Sequence, residues 1–267
     1  YRPAPLGALL VGRDLDGAES FVGRTHDRDA VAHRVALARA WTGAGASASR
    51  RAAWALAVLA ERARNEAVRA GLHLTAGDGE PSRVTRVAEA ERALVRALGT
   101  GTSARGALAP DRAEIAAAAG ALETAFADVV ADLRDARPAK SLPNAPVGEV
   151  VAAAREAPAA LLAELHEELP ALTERIVDEP PLEAAVEGGG TGSAMTVAGR
   201  VTYGLRLAAG YVTAAGCTTP AERLFQPGGV AAELFARLPG DVRTLALVVA
   251  ALDPSVHWTL AGAPADA

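Results

Sequence analysis

Alanine dominates the apolar half of this chain, and only 4% of its residues are aromatic. Alanine is the best helix former and a poor strand former. An alanine-rich interior also lets helices approach closely where bulky side chains would hold them apart. The pattern therefore predicts an all-α fold, an antiparallel multi-helix bundle of about eight or nine helices. At 267 residues the chain is long enough to bury a sizeable core without disulfides or structural metals.

Punctuation by Gly, Pro and capping residues divides the chain. Residues 1–24 carry scattered Gly, Asp and Arg and read as an irregular N-terminal arm. A first helix is expected from Thr25 to Trp41, with Asp27 and Asp29 favouring its N-terminal dipole. Ser47 or Ser49 caps a second, reaching Ala70 before Gly71, and Ser82 caps a third that closes before Gly99. Pro110 opens a fourth, running to Ala136. The proline-rich stretch 137–146 is the best subdomain boundary within a single helical domain spanning 25–262. Further helices are expected over Val147–Glu156 and Ala157–Val177, with a kink or restart at Pro170. A long apolar helix is expected over Ser193–Ala215. Two final helices follow over Pro220–Leu238, interrupted by Pro227-Gly228-Gly229, and Asp241–Leu252, with a frayed tail at 263–267. No alternating strand of five residues stands out.

Composition narrows the chemistry. Cys217 is the sole cysteine, which excludes an intrachain disulfide and a cysteine-rich zinc site. Lys140 is the sole lysine and sits in the proline-rich stretch, a poor place for a lysine nucleophile. A net charge of −5 argues against a nucleic-acid partner. The absence of an 18-residue uncharged apolar run argues against a membrane-spanning helix. The expectation is a soluble cytoplasmic protein, with homo-oligomer formation left open.

Catalytic signatures fail on inspection. No Gly precedes Lys140 to form a phosphate-binding loop. Gly101-Thr102-Ser103-Ala104-Arg105 places Arg where a nucleophile elbow needs Gly. Pro170 stands where His166-Glu167 would need a second metal-binding His. Asp128, Asp132 and Asp135 read as a solvated charged face, and Glu164, Glu167 and Glu168 around His166 lack the repeated Glu-x-x-His of a di-iron bundle.

Polar residues on apolar helical faces remain. On the expected helix 193–215, Arg200, Tyr203 and Tyr211 share a face, and an Arg among apolar neighbours requires an anionic partner. The second helix has two apolar strips, so it is expected to be buried on two sides, with Glu61 and Asn65 lying in the strip that contains Trp54. On the first helix His26 and His33 share a face.

The leading expectation is an internal pocket for a small, partly apolar, anionic molecule in what could be a biosynthetic enzyme. Arg200 would bind the anion, Tyr203 and Tyr211 would orient it, Asn65 and Trp54 would line the pocket, and Glu61 or His33 would transfer protons. A non-catalytic helical interaction or scaffold protein is the first alternative, and a metal-dependent enzyme using His26, His33 and carboxylates is the second. No metal ligand is assigned in the leading reading, and the cofactor is unknown.

Overall fold

A computed structural model of the chain describes residues 6–26, 28–75, 81–103, 106–135, 145–180 and 188–236, and five residues between 245 and 252. The stretch read as an irregular arm forms two short helices, α1 (Leu6–Leu10) and α2 (Leu15–Thr25). Asp14 caps α2 by accepting from the Gly17 N–H. Leu10, Leu15, Ala18 and Val22 are buried in the main core. Then come α3 (Ala30–Thr42), α4 (Ala48–Thr75), α5 (Pro81–Leu98), α6 (Arg112–Asp135) and α7 (Ala145–Arg175).

The all-α expectation is overturned in the segment that follows. Residues 191–218 form a three-stranded antiparallel meander: β1 (Thr191–Thr196), β2 (Gly199–Ala208) and β3 (Tyr211–Thr218), in the order β1-β2-β3. The fold is thus helix-rich with a small sheet. The physical reason lies in a period-2 pattern hidden under an apparent helical one. Val201, Tyr203, Leu205 and Leu207 are buried while Arg200, Arg206 and Ala208 are exposed. That alternation, rich in β-branched and aromatic residues, suits a half-buried strand. Ala209 and Gly210 have φ of 51° and 77°, both positive as a tight two-residue hairpin of the primed type requires.

Two short helices follow, α8 (Pro220–Phe225) and α9 (Val230–Ala236), separated around the expected Pro227-Gly228-Gly229 break, and the five residues described between 245 and 252 are helical as well. Thr219 and Glu222 form a reciprocal capping box on α8. Helix α7 runs through both Pro158 and Pro170. Residues 137–144 of the expected boundary lie outside the described residues, as does the 263–267 tail.

Helices α4 to α7 pack on one another, and α3 lies between this group and the sheet, touching α4 on one side and β1 and β2 on the other. The alanine-rich reading explains the closeness. Along α4, Ala53, Ala57, Ala60, Ala63 and Ala67 are fully buried. The two-sided burial expected of this helix is present, with Leu56, Leu59 and Trp54 all buried.

The sheet sits directly on the α3 backbone. A Cβ added at Gly192 would lie 2.2 Å from the Ala36 carbonyl oxygen and 2.3 Å from the Ala40 nitrogen. Both are backbone atoms and cannot swing aside. Gly192→Ala is therefore expected to cost about 1–3 kcal/mol through forced separation of β1 from α3. Equilibrium urea unfolding checks this; a variant as stable as the parent would show that the contact is looser than described.

Candidate functional site

The site begins where α3 starts. Asp29 stands at the N-cap position but its side chain makes no capping bond. The exposed backbone donors of the first turn are instead met from α4. Glu61 Oε1 accepts from the Val31 N–H at 2.7 Å, and Oε2 accepts from the Ala32 N–H at 2.8 Å. One turn further along α4, Asn65 Nδ2 donates to the Arg28 carbonyl at 2.7 Å and to Asp29 Oδ1 at 2.9 Å. Arg64 donates to the same Arg28 carbonyl at 2.6 Å and approaches Glu61 Oε1 at 3.7 Å. Glu61, Arg64 and Asn65 thus replace the local cap that α3 lacks.

Burial pushes the Glu61 carboxyl up to about 8. The Asp29 carboxylate adds to this, while the two backbone N–H donors and Arg64 oppose it.

One turn into α3, His33 is buried and faces the sheet. Its Nδ1 shares a 2.8 Å hydrogen bond with the Tyr203 hydroxyl on β2. His26, just beyond α2, stacks on the His33 ring with centroids 3.5 Å apart and planes 12° from parallel. Burial lowers the His26 pKa to about 4. It lowers His33 well below the usual histidine value, and repulsion from a charged His26 adds to the effect. Both imidazoles are neutral near pH 7.

On the next strand, Cys217 is the register partner of Tyr203. Burial raises the Tyr203 pKa, and it raises Cys217 to about 11, with the Tyr203 hydroxyl opposing that shift. Three side chains, from α2's end, α3 and β2, thus form one continuous polar string, with Cys217 paired in register beside it.

The residues singled out from the sequence fall into separate places. His33 and Tyr203 meet directly. Glu61 and Asn65 meet at the start of α3. Trp54 is fully buried, and its indole Nε1 has no hydrogen-bond partner among the described residues. Arg200 is exposed on β2 opposite Met195, so no buried charge demands a partner there. Tyr211 is 54% exposed and pairs with Ala208 at the far end of β2. Arg200 and Ala208 are separated by roughly 27 Å of extended chain. Arg200, Tyr203 and Tyr211 therefore do not share the single face that a helix would have given them.

Cys217 was not singled out as a site residue from the sequence. The signal was the hairpin turn at Ala209-Gly210, which folds β3 back along β2. The charged faces are paired: Arg86 meets Asp128 at 3.1 Å, Arg83 meets Asp132, and Arg62 grips Glu164 at 2.5 and 2.8 Å.

The fold is that of a helix-rich chain carrying a small antiparallel sheet, and solved structures share it. One is a chain of the nickel–iron–selenium hydrogenase of Desulfovibrio vulgaris Hildenborough in the reduced state, similar at a TM-score of 0.65 and 12% identity, with 96% of this chain and 93% of that chain covered. Another is a chain of an NAD+-reducing nickel–iron hydrogenase in the H2-reduced state, at a TM-score of 0.62 and 14% identity, with 96% and 90% covered. At these identities the likeness is one of fold. No known protein-family profile matches the chain, and no curated protein matches it.

Proposed function

We propose that the protein binds a small, partly apolar, anionic molecule and handles a proton at the His33–Tyr203 pair. The observation that carries this reading is the buried, neutral His33 imidazole hydrogen-bonded to Tyr203 and stacked on His26. A neutral imidazole can accept a proton, and a hydroxyl at 2.8 Å can relay one. Structural packing alone would be served by an apolar pair at lower desolvation cost. Among the described residues no helix is long and apolar enough to cross a membrane.

Native mass spectrometry tests the reading, on protein incubated with a small-molecule extract. The parent is expected to retain a stoichiometric adduct, and His33→Gln and Tyr203→Phe to lose it while keeping the parent's circular dichroism. A bare parent spectrum, or an adduct unaffected by either substitution, would overturn the assignment.

The metal-dependent alternative meets a chemical obstacle. The similar chains belong to enzymes named for nickel and iron, some for selenium as well. Soft metal centres and iron–sulfur clusters are commonly held by several thiolates, whereas this chain has one cysteine, whose thiol burial keeps protonated. Imidazole lone pairs lie in the ring plane, so the stacked rings of His26 and His33 do not converge on one ion. Among the described residues no group of three or more His, Cys, Asp and Glu could hold a metal. The residues present do not fit a thiolate-held centre.

The interaction-protein alternative has a specific observation behind it. Leu9 and Val11, at and just after α1, are about half exposed, as is Tyr211 on β3. The Gly12 N–H donates to the Val212 carbonyl, which places this α1 end beside the start of β3.

A further inference from the structure

A cleft of about 410 Å³ lies between α2 and α3, lined by Asp16, Glu19, Gly23, Arg24 and Arg34 among others. Arg34 is the telling member. It makes no hydrogen bond or ion pair among the described residues, and its Nε is shut away from solvent without a partner. A guanidinium N–H in that state is costly unless something accepts from it. Gly23 leaves space for the Arg34 stem: a Cβ there would lie 3.3 Å from the Arg34 Cδ. Arg24, one residue further along α2, is exposed and brings a second guanidinium to the same cleft.

Two carboxylates also line the cleft, Asp16 and Glu19. Glu19 is turned toward the 103 segment, where its Oε2 accepts from the Ser103 hydroxyl at 2.7 Å. Asp16 is exposed. Arg34 follows His33 in α3, and Arg24 lies two residues before His26, so the cleft adjoins the histidine pair along the chain.

We infer that the α2–α3 cleft is an anion subsite in which Arg34 and Arg24 grip a carboxylate or phosphate group. Arg is suited to this because its planar fork matches the oxygens of both groups. The inference deepens the small-molecule reading above by moving the anion grip from Arg200 to Arg34, and it does not depend on His33 or Tyr203 handling a proton.

Nitrogen-15 NMR of the arginine Nε–H resonances is the direct test, with inorganic phosphate and acetate as probes and sodium chloride at matched ionic strength as reference. The Arg34 signal is identified by its loss in Arg34→Gln, whose remaining spectrum reports the fold. With phosphate or acetate the Arg34 Nε–H and the Gly23 amide are expected to shift and saturate together, and the better-bound probe tells phosphate from carboxylate. Arg34→Lys keeps the charge but not the fork and is expected to weaken binding about tenfold, as read from the Gly23 amide. Arg206→Gln, an exposed substitution on β2 outside the cleft, is expected to leave the titration unchanged, and because phosphate and acetate are read here without any small-molecule adduct, failure at the cleft and failure at the histidine pair are told apart. Shifts that stay linear, that chloride reproduces, or that persist in Arg34→Gln would overturn the inference.

Discussion

Arg50→Met is expected to lower the stability of the fold by about 3–5 kcal/mol, the cost typical of removing one partner from a buried ionic network. The Arg50 side chain is fully buried near the start of α4. Its Nη1 donates to the Gly106 carbonyl at 2.7 Å and the Ser103 carbonyl at 3.3 Å, and its Nη2 donates to the Pro180 carbonyl at 3.1 Å. Its Nε lies 3.8 Å from Glu179 Oε2. Two connecting segments distant in sequence are thereby fastened to one helix, and they also bridge each other through Leu108 and Glu179. Methionine fills similar space and donates nothing, leaving three carbonyls and a carboxylate short of a donor. Arg50→Lys keeps the charge but cannot span these acceptors and is expected to fall between the two. Urea unfolding measures both, and a loss under about 1 kcal/mol for the methionine variant would mean that water replaces the guanidinium.

The second large effect is the pH dependence introduced by Glu61. Its carboxyl has an ordinary value of 4.5 and is raised to about 8 in the folded protein by burial. Between those values the folded chain holds a proton that the unfolded chain has released. The Glu61 contribution is thus fully present below pH 4.5 and is lost as pH rises through about 8, with a total change of several kcal/mol, on the order of 4. His26 acts in the opposite sense. Its value falls from 6.5 to about 4, so its contribution is present above pH 6.5 and lost as pH falls through about 4.

The difference between the parent and Glu61→Gln isolates the glutamate. Glutamine can accept from one of the Val31 and Ala32 N–H groups, but its amide nitrogen confronts the other. The variant is expected to be clearly less stable than the parent at pH 5, with the gap closing by pH 8.5. A gap that is constant with pH, or that widens as pH rises, would show that Glu61 is ionised in the folded protein throughout.

Much of the helical framework was legible because its signals are local. The break before Pro220, the interruption at Pro227-Gly228-Gly229 and the two apolar strips of α4 follow from backbone preferences and a 3.6-residue period. His33 and Tyr203 were legible as polar residues in apolar surroundings. Their meeting was not, because it joins positions 170 residues apart.

Sequence alone determined that this chain builds closely packed, alanine-lined helices, and that any chemistry it performs must do without a cluster of its own thiolates. Tertiary structure decided three things. Residues 191–218 are a sheet, because Val201 to Leu207 satisfy both periods and packing against α3 selects the strand. A register shift between Arg206 and Leu207 places Cys217 beside Tyr203, where an unbroken two-residue hairpin would have placed Gly216. Glu61 caps a helix whose Val31 lies thirty residues earlier in the chain, because the nearer Asp29 makes no side-chain capping bond. In each case the deciding partner is distant in sequence, and local preference carries no information about which distant partner will arrive.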